Sequence, residues 1–105
     1  MAGLVPAISI RETPYILASR PGGALYGGVT NNLVRPVYLH KNQMVPGHTK
    51  RCCIDQLVHF EIHETARQAI QREKSIKHWP RVYKMRLIAK ENATWRDLYD
   101  EIARP

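Results

Sequence analysis

Hydrophobic and polar positions along this chain follow two rhythms, and the rhythm changes at each cluster of glycine, proline or asparagine. Tyr15–Ser19 is a short apolar run with Pro14 just before it. It reads as a strand, because proline is tolerated where a strand begins. Arg20-Pro21-Gly22-Gly23-Ala24 is dense in turn formers and closes a hairpin onto a second strand, Leu25–Val29. Gly27 and Gly28 would weaken a plain strand, so they imply a bend or a close backbone approach.

Asn31 or Asn32 offers a side-chain oxygen to cap a helix that puts Leu33, Val34, Val37 and Met44 on one face. Gln43–Lys50 is a loop around Pro46-Gly47. Gln56–His63 alternates as a third strand, with Val58, Phe60 and Ile62 on one face. Glu64–Trp79 is the clearest helical pattern and stops at Pro80. Arg81–Lys90 is a shorter helix carrying Val82, Met85, Leu87 and Ile88, and Asn92-Ala93-Thr94 would cap a terminal helix over Trp95–Tyr99. The order is β-β-α-β-α-α-α: an α/β fold in which a small three-stranded antiparallel sheet is flanked by helices. Residues 1–12 read as an N-terminal extension and 13–105 as one domain.

Composition adds a partner. The 105 residues are 44% hydrophobic, enough for one modest core, and the formal net charge is +7. Such a surface attracts polyanions, nucleic acid first. No run reaches the roughly 18 apolar residues of a membrane helix, so no membrane partner is expected. The apolar leader Met1–Ile10 lacks the basic start of a signal peptide. Cys52 and Cys53 are adjacent, a strained pair for a disulfide and too few ligands for zinc. Both are expected to be reduced, packed thiols, which favours the cytoplasm.

One residue breaks the pattern. With Ala66 as reference, Glu73 falls about 20° away on the helical wheel, between Ala69 and Ile70, in the middle of the apolar stripe. A carboxylate there must be paired, protonated or bound to a cation. Either Glu73 snorkels to the rim or pairs with an arginine from elsewhere, or it is a metal or catalytic carboxylate. Of the five histidines, His48, His59, His63 and His78 read as surface residues. His40 lies against the edge of an apolar helix face, where packing and catalysis are both open.

Taken together these residues resemble the GIY-YIG nuclease superfamily, in particular its small standalone bacterial members. Thr13-Pro14-Tyr15 stands where Gly-Ile-Tyr would be, and Tyr26-Gly27-Gly28 stands for Tyr-Ile-Gly. Asn32-Leu33-Val34-Arg35 with His40-Lys41 follows the family's first helix. Val45–Arg51, Arg72–Trp79 and Trp95–Tyr99 are similar to signatures of this subgroup. The resemblance spans Tyr15 to Leu98 and implies metal-assisted hydrolysis of DNA phosphodiesters. It implies one divalent cation, Mg2+ or Mn2+, on Glu73, with Tyr26 positioning or deprotonating water. Tyr15 would reach the same cleft, and His40 would serve in proton transfer or in orienting Tyr26. Arg35, Lys41, Lys50 and Arg51 would contact the DNA, with branched or structured DNA among the candidate substrates.

One departure matters. The family's arginine, eight residues beyond Gly28, is replaced by Pro36. Proline cannot clamp a phosphate as a guanidinium does. On an intact helix Arg35 points away from His40, and a proline well inside the helix would kink it or imply a later start. The alternative to an endonuclease is therefore a catalytically impaired relative that binds nucleic acid without cleaving it.

Overall fold

The strand Thr13–Ala18 (β1) is buried along its whole length because it lies between two antiparallel neighbours and has helices on both sides. It belongs to a computed structural model that describes residues 12–44 and 53–103. The neighbours are Leu25–Thr30 (β2) and Gln56–Phe60 (β3), in the order β2-β1-β3. The helices are Val34–Lys41 (α1), Ala66–Lys77 (α2), Arg81–Glu91 (α3) and Tyr99–Ile102 (α4). The element order matches the expected β-β-α-β-α-α-α, and the sheet is the expected three-stranded antiparallel one.

The period-2 geometry of β1 divides the core. Tyr15 and Leu17 pack with Leu33, Val37, Leu57 and Ile102 on one face. Ile16 and Ala18 pack with Val58, Ile76, Ile88 and Trp95 on the other. A strand buried on both faces needs a continuous apolar run, which Tyr15–Ala18 supplies.

The strand starts at Thr13, so Pro14 lies inside a central strand rather than before it. The Pro14 carbonyl accepts the Glu61 N–H at 3.0 Å, one residue past the end of β3. The donorless proline nitrogen faces the same side, at the end of the β1–β3 ladder, so the proline forgoes one bond at the strand's end and none inside it.

The third strand is shorter than the expected Gln56–His63 and carries a bulge. Tyr15 pairs Phe60 and Ile16 pairs His59, but Leu17 pairs Leu57, so Val58 and His59 together oppose Ile16. The extra residue reverses the alternation. Val58 therefore joins the Ile16 core while Phe60 packs against the Tyr15 core, and they do not share a face. Ile62 lies beyond the strand and is 54% exposed.

Helix α1 begins at Val34 with Leu33 in the cap position and no side-chain cap bond, so neither asparagine caps it. Thr30 Oγ1 instead accepts the Asn32 N–H at 3.1 Å and sets the turn. With this later start Pro36 is the third helical residue. Its missing N–H is one that no helical carbonyl would have met, so proline removes no intrahelical hydrogen bond there. Met44 lies beyond the helix and is exposed, not on its apolar face.

Helix α2 is shorter than the expected Glu64–Trp79; Thr65 caps it by accepting the Gln68 N–H at 3.1 Å. The terminal helix is displaced. Trp95 has φ 58° and lies buried in a loop, and Asn92 clamps that loop rather than capping a helix. Its carboxamide donates to Val58 O and Arg96 O and accepts from the Arg96 N–H. Cys53 is exposed and free, not packed; Cys52, like Lys50, Arg51 and His48, lies outside the described residues.

The two glycines of β2 differ. A Cβ on Gly28 would stand 2.7 Å from Tyr15 Oη and 2.9 Å from Cζ, whereas on Gly27 it would meet only the Tyr15 carbonyl oxygen at 3.7 Å. Gly28→Ala is expected to destabilise the fold by about 1–3 kcal/mol through overpacking, and Gly27→Ala to leave it nearly unchanged. Urea denaturation distinguishes the two, and equal midpoints would refute the contact.

Candidate active site

Because Gly27 and Gly28 have no side chains, the β2 edge opens into a cleft of about 50 Å³ between the hairpin and α2. Tyr15 and Glu73 both line it. Tyr15 is 7% exposed and its ring lies over Gly28. Burial first, then the nearby Tyr26 and Glu73, push its phenol up to about 12. With no cation beside it, the Tyr15 phenol is therefore protonated at neutral pH.

Glu73 reaches the cleft from α2 with its side chain 11% exposed. Helical spacing puts it among Ala69 and Ile76, both buried in the core, so its carboxylate has few directions open to it. It neither snorkels into solvent nor pairs with a distant arginine. Lys77, one turn on, brings its Nζ to 2.8 Å from Oε2. The contact is an ion pair, and it gives the buried Oε2 its counter-charge. The Glu73 contact raises the Lys77 ammonium above its ordinary range.

Tyr26 and His40 form the adjoining pair, with ring centroids 5.3 Å apart and planes tilted by 45°. Tyr26 is 40% exposed, whereas His40 is buried on the inner side of α1. Burial lowers the His40 pKa, and the Asp55 charge recovers part of that shift. Tyr26 is close enough to act electrostatically on both Tyr15 and Lys77, which links the two pairs into one neighbourhood.

The predicted DNA contacts are dispersed. Arg35 is exposed and Pro36 half-buried on α1. The Lys41 ammonium is tied to Asp97, whose other oxygen accepts the Leu57 N–H at 3.1 Å. The cations that line the cleft are instead Lys77 and Lys84.

Sequence reading missed a second polar cluster at the back of the cleft. Glu61 accepts from His59 Nε2 at 2.9 Å, His63 Nε2 at 3.0 Å, Arg72 Nε at 2.9 Å and Arg72 Nη2 at 3.1 Å. His59 is 4% exposed, so it is not the surface residue expected of it. Burial by itself would raise the Glu61 carboxyl, but the bonds from His59, Arg72 and His63 outweigh it and hold the group well below the carboxylate range. The signal was present: His59, Glu61 and His63 recur at every second residue of an extended segment. What no pattern revealed was Arg72, which arrives from α2.

A family model, the GIY-YIG catalytic domain, matches residues 13–86. A UPF0213 protein of Clostridium perfringens (strain 13 / Type A) is 34% identical over 79 residues, covering 75% of this chain and 85% of that protein. No solved structure matches the chain. The chain belongs to the GIY-YIG family, whose domains are of nuclease type. Among the described residues, no helix is long and apolar enough to cross a membrane.

Glu61→Gln is expected to cost about 2 kcal/mol at pH 7, the scale of hydrogen bonds to a partly buried charged group. The folded carboxyl lies below its unfolded value of roughly 4.3. Its contribution is thus complete above that value and is lost as pH falls through the folded one. Denaturation of wild type and variant from pH 7 down to about 3 checks this: the gap should hold above the carboxylate range and narrow below it.

Proposed function

We propose that this GIY-YIG domain hydrolyses DNA phosphodiester bonds with one divalent cation, Mg2+ or Mn2+, held by Glu73. The observation that carries this reading is the Glu73 carboxylate, which α2 holds largely buried at the cleft with the exposed Lys77 as its counter-charge, 2.8 Å from Oε2. One ammonium leaves carboxylate lone pairs free, and a hard cation takes oxygen ligands of this kind. Among the described residues, no three His, Cys, Asp or Glu side chains gather into a full cage. The donor set fits a cation that takes one carboxylate and fills its shell with water and phosphate oxygens, as Mg2+ does. When bound, the cation supplies Lewis-acid polarisation of a phosphoryl oxygen.

The residues around it divide the work. Tyr15, kept protonated, donates a hydrogen bond into the cleft. Tyr26 orients the attacking water, and His40, with its lowered pKa, is neutral near pH 7 and takes up a proton. Lys77 and Lys84 supply the positive charge that Pro36 cannot. Arg35, Lys41, Lys50 and Arg51 contact the DNA backbone, so recognition rests on phosphates and shape.

A second reading is favoured by one observation: Pro36 sits in the first turn of α1, beside an Arg35 that is exposed. In that reading the chain binds nucleic acid without cleaving it.

Cleavage assays on single-stranded, duplex and branched DNA with Mg2+ and Mn2+ separate the two. Wild type is expected to cleave, Glu73→Ala to abolish cleavage, and Tyr15→Phe to slow it on the order of 10²-fold. Pro36→Arg is expected to raise the rate, and Mn2+ to raise the melting temperature of wild type but not of Glu73→Ala. DNA binding with no cleavage by wild type or by Pro36→Arg would sink the enzyme reading.

A further inference from the structure

A second groove crosses α2 and α3, lined by Arg72, Trp79, Tyr83, Arg86, Leu87 and Lys90. It holds three cations, two aromatic rings and no acid. On α3 the four residues Tyr83, Arg86, Leu87 and Lys90 recur at i, i+3, i+4 and i+7, which is one helical face. The buried residue of that helix, Ile88, is not among them.

Both guanidinium groups of the groove already lie against its rings. The Arg72 guanidinium stands 5.1 Å from the Trp79 ring centroid, and the Arg86 guanidinium 5.5 Å from that of Tyr83. Arg72 is held there by Glu61, to which Nε and Nη2 both donate. Tyr83 is 50% exposed at the rim. Planar guanidinium groups and aromatic rings are the two surfaces on which a nucleobase stacks, and the cations meet its phosphates. A duplex keeps its bases stacked internally and offers this groove only phosphates.

We propose that this shelf binds unpaired bases of single-stranded nucleic acid, stacked at the Trp79–Arg72 and Tyr83–Arg86 pairs, with Lys90 on the backbone. The inference rests on the nucleic-acid reading above and adds a site apart from the cleft. Arg72 belongs to the shelf and Glu73, its sequence neighbour, to the cleft, so α2 carries both.

The test uses the full chain in chelator, so that nothing is cleaved, titrated with oligo(dT) of about 12 nucleotides and with the matching dA·dT duplex. Binding of oligo(dT) is expected to quench tryptophan emission, with the quench lost in Trp79→Phe. Tyr83→Ala and Arg86→Ala, both at exposed positions, are each expected to weaken oligo(dT) binding on the order of 10-fold. Their duplex affinity should stay within about twofold, since phosphate contacts remain. Unchanged oligo(dT) affinity in both variants would overturn the shelf while leaving the nuclease reading intact. Equal weakening of both nucleic acids would overturn the stacking. Absence of any binding by wild type would overturn shelf and nucleic-acid reading together. A dimer of wild type that Tyr83→Ala dissociates, with oligo(dT) affinity unchanged, would assign the face to a second copy instead.

Discussion

The Tyr15 ring can lie over the backbone of Gly28 only because that residue has no Cβ, and much of the molecule depends on this contact. It lets β2 close against β1 while a bulky phenol stays in the core. It also seats the phenol at the cleft that Glu73 enters from the other side of the sheet. One close approach thus serves packing and site geometry at once. The neighbouring Gly27 has a different use: nothing crowds its missing side chain, and the space left open is part of the cleft wall.

A second constraint acts on α2. The bulge in β3 turns His59 onto the face of Ile16. Glu61 then binds His59, His63 and Arg72 together, joining the end of β3 to the helix that carries Glu73. Arg72 and Glu73 are adjacent, so holding the arginine fixes the rotation of the helix and the direction of the carboxylate. The same bonds order the guanidinium beside Trp79. The network therefore connects the cleft to the outer groove through a single rigid turn of helix.

Pro36 shows how element boundaries decide the meaning of a residue. In a helix starting at Asn32 it would remove a needed hydrogen bond and force a kink. In the observed helix it falls in the first turn, where proline is well tolerated. What the position lacks is chemical, a guanidinium, and not structural. The positive charge at the cleft comes from α2 and α3, through Lys77 and Lys84.

The element order, the antiparallel hairpin and the anomaly at Glu73 were all legible in the sequence, because each rests on local periodicity and turn chemistry. So was the family, through motifs carried in order along the chain. The face of Phe60 was not legible, since one bulged residue inverts a strand's alternation without changing its composition. Nor was the true start of α1, where a threonine turn displaced two asparagines that were equally good caps. The burial of His59 and its union with Glu61 and Arg72 were decided by tertiary structure alone. Sequence states which residues alternate and where turns fall; only packing brings side chains from separate elements within bonding distance, because that distance depends on register and helix rotation.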